Sequence, residues 1–110
     1  MDLIKLEKKE NAAFLILNRP EVKNAINPEL LKDLYLKLEE VEKEELLRFV
    51  VITGSGDIFS SGADLNWMKE GKDFKKDSEL LFDVLFKIYT FPKIIFAAVN
   101  GSAFGGALGL

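Results

Sequence analysis

Two segments rich in small residues are the parts of this chain best suited to chemistry. Phe59–Leu65 reads FSSGADL and Gly101–Gly109 reads GSAFGGALG. Each follows an apolar run, Phe49–Thr53 or Ile94–Val99, and each precedes a predicted helix start. Small residues allow backbone N–H groups to approach a ligand closely, and a helix start adds partial positive charge. The pattern therefore predicts two amide donors directed at one anion.

The first segment has two interpretations. The N–H of Ala63 can point at an oxygen that becomes negative during a reaction, while Asp64 caps a short helix and holds that amide in place. An ordinary turn followed by an N-cap explains the same residues. The spacing alone leaves both interpretations open.

The second segment is compatible with a donor loop, a dinucleotide-binding turn or close packing of a helix. The spacing of its glycines, Gly101, Gly105, Gly106 and Gly109, does not match G-x-G-x-x-G. A nucleophile elbow at Ser102 is also disfavoured, because G-x-S-x-G is absent and the chain has no histidine to activate a serine. Ser102 is predicted to be a small turn residue.

Two further groups of residues have open roles. Trp67 and Met68 follow the first segment and can line an apolar acyl pocket or belong to the core. Arg19 and Lys23 lie in a predicted turn before a helix, where they can meet a phosphate or remain solvated.

Composition restricts the remaining chemistry. The chain has 110 residues, 48% of them hydrophobic and 30% charged, which is typical of one globular unit. It contains no cysteine and no histidine, so we expect no disulfide and no metal site, and acid–base work falls to carboxylates, lysine, tyrosine or backbone. The net charge of −3, without a basic stripe, argues against nucleic acid as a partner.

The N-terminus alternates apolar and charged residues and lacks the apolar core of a signal peptide. No segment approaches the roughly twenty apolar residues of a membrane span. We therefore expect a cytoplasmic protein that has no membrane partner.

Apolar periodicity predicts an α/β fold. Leu3–Lys8 and Ala12–Leu17 form a hairpin, a helix follows the N-cap Asn27, and the apolar runs 49–53 and 94–99 are strands buried on both faces. Between those strands, a charged stretch, Lys69–Asp77, precedes a second amphipathic helix. The order β-β-α-β-α-β-α indicates parallel strands joined by crossover helices.

Three segments taken together resemble the crotonase superfamily, the enoyl-CoA hydratase/isomerase family. They are LNRPEVKNAI, FSSGADLNWM and VNGSAFGGALGL, in this order and at these separations. The resemblance implies a spiral of ββα units, assembly as trimers or pairs of trimers, and a coenzyme A thioester as substrate without a bound cofactor. Residues 1–110 then correspond to the N-terminal part of a single crotonase-like domain, and we expect the natural chain to be longer.

The resemblance also implies roles for individual residues. The backbone amides of Ala63 and Gly106 form the oxyanion hole. The backbone around Ser61, Ala63, Asp64 and Leu65 holds the pantetheine and adenine parts of coenzyme A, with Lys23 and Ala25 near the nucleotide end. Gly106 also contacts the substrate, and Trp67 and Met68 line the acyl pocket.

One position departs from the family pattern. Family hydratases usually carry two glutamates, and the first lies three residues after the second oxyanion glycine, where this chain has Gly109. The second would lie beyond Leu110. The motifs are most similar to branched-chain hydratases of the methylglutaconyl-CoA type. An enoyl-CoA hydratase-like enzyme is the leading hypothesis; the alternatives are an enoyl-CoA isomerase, a non-catalytic CoA-binding fragment or pseudo-enzyme, and a structural scaffold.

Overall fold

The computed structural model describes residues 3–56, 58–60, 62, 74–98 and 102–103 of the chain. Its strands are β1 (Ile4–Lys9), β2 (Ala12–Leu17), β3 (Phe49–Gly54), β4 (Ile58–Ser60), β5 (Ile94–Ala98) and β6 (Ser102–Ala103). Its helices are α1 (Pro28–Lys43) and α2 (Phe74–Tyr89), and a short 3₁₀ turn spans Pro20–Val22.

The strands form two sheets. The larger has the order β1-β2-β3-β5, and the smaller pairs β4 with β6. β1 and β2 are the predicted antiparallel hairpin, whereas the β2–β3, β3–β5 and β4–β6 pairs are parallel. A parallel pair needs a long crossover, and here α1 lies between β2 and β3 and α2 between β3 and β5 in the chain. The predicted α/β class with crossover helices is confirmed.

Helix α1 begins where the sequence predicts it. Asn27 is the N-cap, and its side-chain oxygen accepts a hydrogen bond from the Leu30 amide at 2.9 Å. The apolar face of the helix then packs against the sheet face formed by alternate residues of β1, β2 and β3. The fully buried residues of this core include Leu30, Leu31, Leu34, Leu38, Val41, Ile4, Leu15, Leu17 and Val50.

The predicted double burial of β3 and β5 is wrong. In β3 buried residues alternate with half-buried ones, so helices cover only one face of that strand. β5 is largely exposed, with Ile94 at 55% and Phe96 at 52%. The reason is topological, because β5 lies at the edge of the four-stranded sheet within the described part of the chain.

Two short strands and one helix boundary also differ from the prediction. β4 and β6 lie inside the segments read as loops, and Ser102 belongs to β6 rather than to a turn. Strands of two or three residues are too short to show an alternating pattern among glycines and serines. Helix α2 begins at Phe74, inside the charged stretch 69–77 that was expected to precede it. The sequence did not indicate this start because the charged residues of the first turn lack the apolar periodicity that marks a helix.

No helix in the described ranges has both the length and the apolar character required to cross a membrane.

Candidate active site

The pairing of β4 with β6 brings the two small-residue segments together. The strands are parallel, with Ile58 opposite Ser102, Ser60 opposite Ala103 and an irregularity in the register between these two pairs. The carboxyl ends of parallel neighbours lie at the same edge of a sheet, about 4.8 Å apart in the hydrogen-bonding direction. The chain therefore leaves both strands side by side, as two cooperating donor loops require.

Most of the predicted site residues lie outside the part of the chain that the structure describes. These are Ser61, Ala63, Asp64, Leu65, Trp67, Met68, Gly106 and the departing position Gly109. Gly62 is described and so are Lys23 and Ala25. The described part of the site therefore consists of the residues that surround the first segment.

Gly62 is held through both of its backbone polar groups. Its N–H donates to the hydroxyl oxygen of Ser60 at 3.1 Å, and its carbonyl accepts a hydrogen bond from the Ile26 N–H at 2.7 Å. Its φ of 94° is a conformation that favours glycine. The backbone is thus fixed immediately before the residue that the sequence nominates as the first donor.

Ser60 connects this backbone to Asn24. The Ser60 side chain is completely buried, and its hydroxyl donates to the Asn24 carbonyl oxygen at 2.7 Å while accepting from Gly62. One hydroxyl thereby joins the turn before α1 to the segment after β4.

Asn24 forms hydrogen bonds with the loops that follow β2 and β3. It is fully buried and has a left-handed φ of 56°. Its side-chain oxygen accepts from the Arg19 N–H at 2.8 Å, and its side-chain nitrogen donates to the Ser55 carbonyl at 2.9 Å. Three segments that follow strands therefore converge on this amide and its backbone.

Lys23 and Ala25 flank Asn24 and differ in exposure. Lys23 is exposed and has a φ of 55°, and its N–H donates to the Pro20 carbonyl at 3.1 Å. Ala25 is buried, and its carbonyl accepts a hydrogen bond of 2.6 Å from Nη1 of the Arg19 guanidinium. The Lys23 ammonium is thus available to solvent next to a backbone that Arg19 holds.

The titration shifts of two lysines arise elsewhere in the molecule. A hydrogen bond to Glu44 raises the pKa of Lys8, and one to Glu42 raises the pKa of Lys87. Both lysines pair with carboxylates at or just beyond the end of α1, so these shifts belong to contacts of that helix.

The sequence reasoning missed Asn24 and Ser60 as residues that organise this region. The sequence indicated only that Asn24 lies in a turn. Two signals were available: asparagine is enriched at positive φ, and Ser60 directly follows the apolar pair Ile58-Phe59. Neither signal names a hydrogen-bond partner, because the partners come from distant parts of the chain.

A comparison with protein families decides the relationship. The profile described as enoyl-CoA hydratase/isomerase matches residues 7–110. The chain belongs to the enoyl-CoA hydratase/isomerase family. The expected crotonase-like resemblance is confirmed at the level of the superfamily.

Individual members of the family agree with this assignment. The short-chain-enoyl-CoA hydratase of Clostridium acetobutylicum is 36% identical over 104 residues, which cover 92% of this chain and 40% of that protein. A crystal structure of an enoyl-CoA hydratase from Shewanella pealeana matches with a TM-score of 0.92 and 31% identity, covering 98% of this chain and 43% of that one. The small ribosomal subunit protein mS47 of Schizosaccharomyces pombe is 30% identical over 115 residues, covering 99% of this chain and 27% of that protein.

The chain thus spans less than half the length of these family members. Its likeness to them extends over nearly all of its own residues, and this supports the crotonase fold for the described elements.

Proposed function

We propose that the whole protein adds water to a 2-enoyl-CoA thioester, or removes it, through an enolate stabilised by two backbone amides. The observation that carries this proposal is the β4–β6 register. Ala63 follows Ser60 by three residues and Gly106 follows Ala103 by three, and Ser60 and Ala103 are partners across the sheet. Because β4 and β6 end side by side at these paired residues, the segments that carry Ala63 and Gly106 start from neighbouring positions, which favours two N–H groups that serve one oxygen.

The chemistry follows from where charge develops. Attack of water on C3 of a 2-enoyl thioester, or loss of the α-proton from the corresponding 3-hydroxyacyl thioester, places negative charge on the thioester oxygen. Donors that are already fixed there stabilise the charge without reorganising, and losing one typically lowers the rate by about 10²–10³-fold. Ala63 and Gly106 are the proposed donors.

The remaining proposed contacts serve binding. The backbone around Ser61, Asp64 and Leu65 would hold the pantetheine and adenine parts of coenzyme A, and Trp67 and Met68 would line the acyl pocket. The exposed Lys23 would lie near the nucleotide end, where an ammonium attracts phosphate, and Ala25 would lie beside it. The acyl-CoA is the substrate, and no resident cofactor is invoked.

The direct test is hydration of crotonyl-CoA by the complete natural protein, followed by the loss of the conjugated enoyl absorbance. A Gly106→Leu variant should lose at least about 100-fold in kcat because the bulky side chain obstructs the proposed donor. The exposed substitution Lys32→Ala, on the outer face of α1, is the matched control. Absence of water addition to 2-enoyl-CoA substrates of several chain lengths would refute the proposal.

An isomerase is the nearest alternative in the same fold. It is favoured by Gly109, which occupies the position of the first glutamate of family hydratases. An isomerase that shuttles a proton between carbons can work with one carboxylate. Conversion of 3-enoyl-CoA to 2-enoyl-CoA without hydration would support the isomerase and exclude the hydratase.

A non-catalytic role is favoured by a different observation, the similarity to the ribosomal protein mS47. Calorimetry distinguishes the cases. Binding of butanoyl-CoA without turnover of either enoyl substrate would support a CoA-binding pseudo-enzyme. Failure to bind coenzyme A at all would support a structural scaffold.

Three finer assignments complete the proposal. The motif resemblance supports a branched acyl group of the methylglutaconyl type and assembly as trimers or pairs of trimers. A cytoplasmic location also belongs to the proposal. The place of residues 1–110 as the N-terminal part of one crotonase-like domain also stays a prediction.

A further inference from the structure

Ser60 and Asn24 are buried polar residues to which the family resemblance assigns no role. We propose that Ser60 is a positioning residue that directs the amide N–H of Ala63, and that Asn24 anchors Ser60. The inference deepens the proposed function and rests on it, because it concerns the same oxyanion donor.

The first step concerns the peptide unit after Gly62. A peptide unit is planar and almost always trans, so its carbonyl and its N–H point in opposite directions. The Gly62 carbonyl and the Ala63 N–H belong to one such unit. Because the Ile26 N–H holds the Gly62 carbonyl at 2.7 Å, it also restricts the direction of the donor.

The second step concerns the other side of Gly62. At a φ of 94°, glycine has backbone freedom that would let the peptide unit rotate. The hydrogen bond from the Gly62 N–H to the Ser60 hydroxyl oxygen, at 3.1 Å, holds the backbone on the N-terminal side of Gly62, while the Ile26 N–H holds the peptide unit that carries the donor. The carbonyl and the N–H of Gly62 are therefore held by separate partners.

The third step concerns the orientation of the hydroxyl itself. A serine hydroxyl rotates to suit its surroundings, and this one donates to the Asn24 carbonyl at 2.7 Å, which leaves its lone pairs for Gly62. Asn24 is in turn held through Arg19 and Ser55. Ser60 and Asn24 are both fully buried, so water cannot readily replace the missing group when either is removed.

The functional consequence is a dependence of rate on alignment. A donor that is rotated away from the thioester oxygen still permits coenzyme A to bind but stabilises the enolate less. Loss of the Ser60 hydroxyl should therefore lower kcat much more than it raises KM.

The test compares Ser60→Ala with Ser60→Thr, which retains the hydroxyl, in the complete natural protein. We expect Ser60→Ala to lower kcat for crotonyl-CoA by about 10- to 100-fold with KM changed by less than about 3-fold. Ser60→Thr should recover most of the loss. The control is Ser78→Ala, at an exposed position of α2.

A spectroscopic readout separates alignment from stability. Hydrogen bonds to a thioester carbonyl weaken its double bond and lower its stretching frequency. Infrared difference spectra of bound butanoyl-CoA, labelled with ¹³C at the carbonyl, should show this lowering in the parent protein. In Ser60→Ala the frequency of the bound ligand should move back toward that of free butanoyl-CoA.

The outcomes are distinguishable. A Ser60→Ala protein with the parental frequency and kcat would overturn the inference. The inference would also be overturned if the loss of activity were fully explained by a smaller fraction of folded protein. If Ser60→Ala does not fold, Ser60→Cys replaces it, because a thiol is a weaker donor and acceptor; a parental frequency there overturns the inference. A parent protein without hydratase activity contradicts the proposed function instead.

Discussion

At the residue scale, the network around Gly62 depends on a residue whose side chain is buried and whose backbone is left-handed. Asn24 combines a φ of 56° with hydrogen bonds to Arg19 and Ser55. Asparagine tolerates the left-handed region better than most residues because its short polar side chain forms local hydrogen bonds. Its identity is therefore specified by backbone and side chain together.

We predict that Asn24→Ala destabilises the protein by about 3 kcal/mol, because two partly buried backbone groups lose partners and the left-handed backbone becomes more costly. Asn24→Gly should cost about 1 kcal/mol less, since glycine relieves only the backbone term. Urea denaturation measures both values.

Lys23→Ala is the matched control, because Lys23 has a φ of 55° but an exposed side chain. Its effect should stay within about 0.5 kcal/mol. An Asn24→Ala protein as stable as Lys23→Ala would contradict the prediction.

Individual site residues could be predicted only where a motif carries them. The segment FSSGADL identifies Ala63 through the family pattern, whereas the support from Ser60 depends on a residue 36 positions earlier in the chain. Local spacing contains no information about that contact. The motif therefore predicted the donor, and the fold was needed to find what holds it.

At the element scale, the end of α1 is capped by Lys93, the residue immediately before β5. Nζ of Lys93 donates to the carbonyls of Val41 and Glu44 at 2.7 and 2.6 Å. Each of these carbonyls also accepts one backbone hydrogen bond of 3.1 Å, from the Glu44 N–H and the Leu47 N–H respectively, and a cation at a helix end complements the helix dipole.

We predict that Lys93→Met lowers the free energy of unfolding by about 1–2 kcal/mol, because these charged hydrogen bonds are lost. Lys32→Met, on the exposed face of the same helix, should change it by less than about 0.5 kcal/mol. Equal effects of the two substitutions in guanidinium denaturation would rule out the cap.

The contact between α1 and α2 should depend on pH in the alkaline range. Nζ of Lys87 lies 2.6 Å from the carboxylate of Glu42 and 5.5 Å from the centroid of the Tyr35 ring. The hydrogen bond to Glu42 raises the pKa of Lys87 above 10.5, so folding favours the protonated ammonium. The resulting stabilisation is complete below 10.5 and is lost as the pH rises through the raised pKa.

We therefore predict that Lys87→Met is less stable than the parent by about 0.5 kcal/mol at pH 7, a small value because the pair is partly solvated. The difference should vanish in thermal unfolding above the raised pKa. Glu42→Gln should add little to Lys87→Met, since one contact is removed twice. Full additivity of the two substitutions would show that the pair does not act as a unit.

Long elements were predictable and short ones were not. The sixteen-residue helix α1 follows an N-cap and carries a repeating leucine face, and both signals are present in the structure. β4 and β6, with three and two residues, exist through pairing with each other. Such pairing is a tertiary effect that no local propensity predicts.

At the scale of the whole molecule, the sheet face away from α1 is largely apolar on β2, β3 and β5. It includes Phe14, Val51 and Phe96 in one row across three strands, and the rings of Phe49 and Phe96 lie 6.3 Å apart. Exposure increases toward β5, where Ile94 and Phe96 are more than half exposed. Contiguous apolar surface of this kind favours association.

We predict that a polypeptide of residues 1–110 alone self-associates as its concentration rises, and that Phe96→Lys shifts it toward monomer. Sedimentation velocity measures the distribution. Leu46→Lys is the control, because Leu46 is 85% exposed but lies in the turn after α1. Equal dispersal by both substitutions would show that the sheet face is not the associating surface.

The class of fold was predictable because periodicity and motif order agree with each other. The burial of β5 was not, because an apolar run indicates what a strand prefers to contact and not which elements cover it. The same limit explains the wrong prediction for β5 and the correct one for α1: the pattern shows which residues are apolar, and the fold decides which of them are covered. A sequence pattern describes one side of an interface.

The order of the parallel strands has a consequence for how the chain folds during synthesis. β3 pairs with β2, which precedes it, and β5 pairs with β3, so each strand added to the four-stranded sheet pairs with a neighbour already made, whereas β4 pairs with the later strand β6. Architectures that contact only their nearest units can fold progressively from one end. β1, β2, α1 and β3 can therefore pair and pack before β5 leaves the ribosome, and the edge of their sheet at β3 then serves as the template for β5.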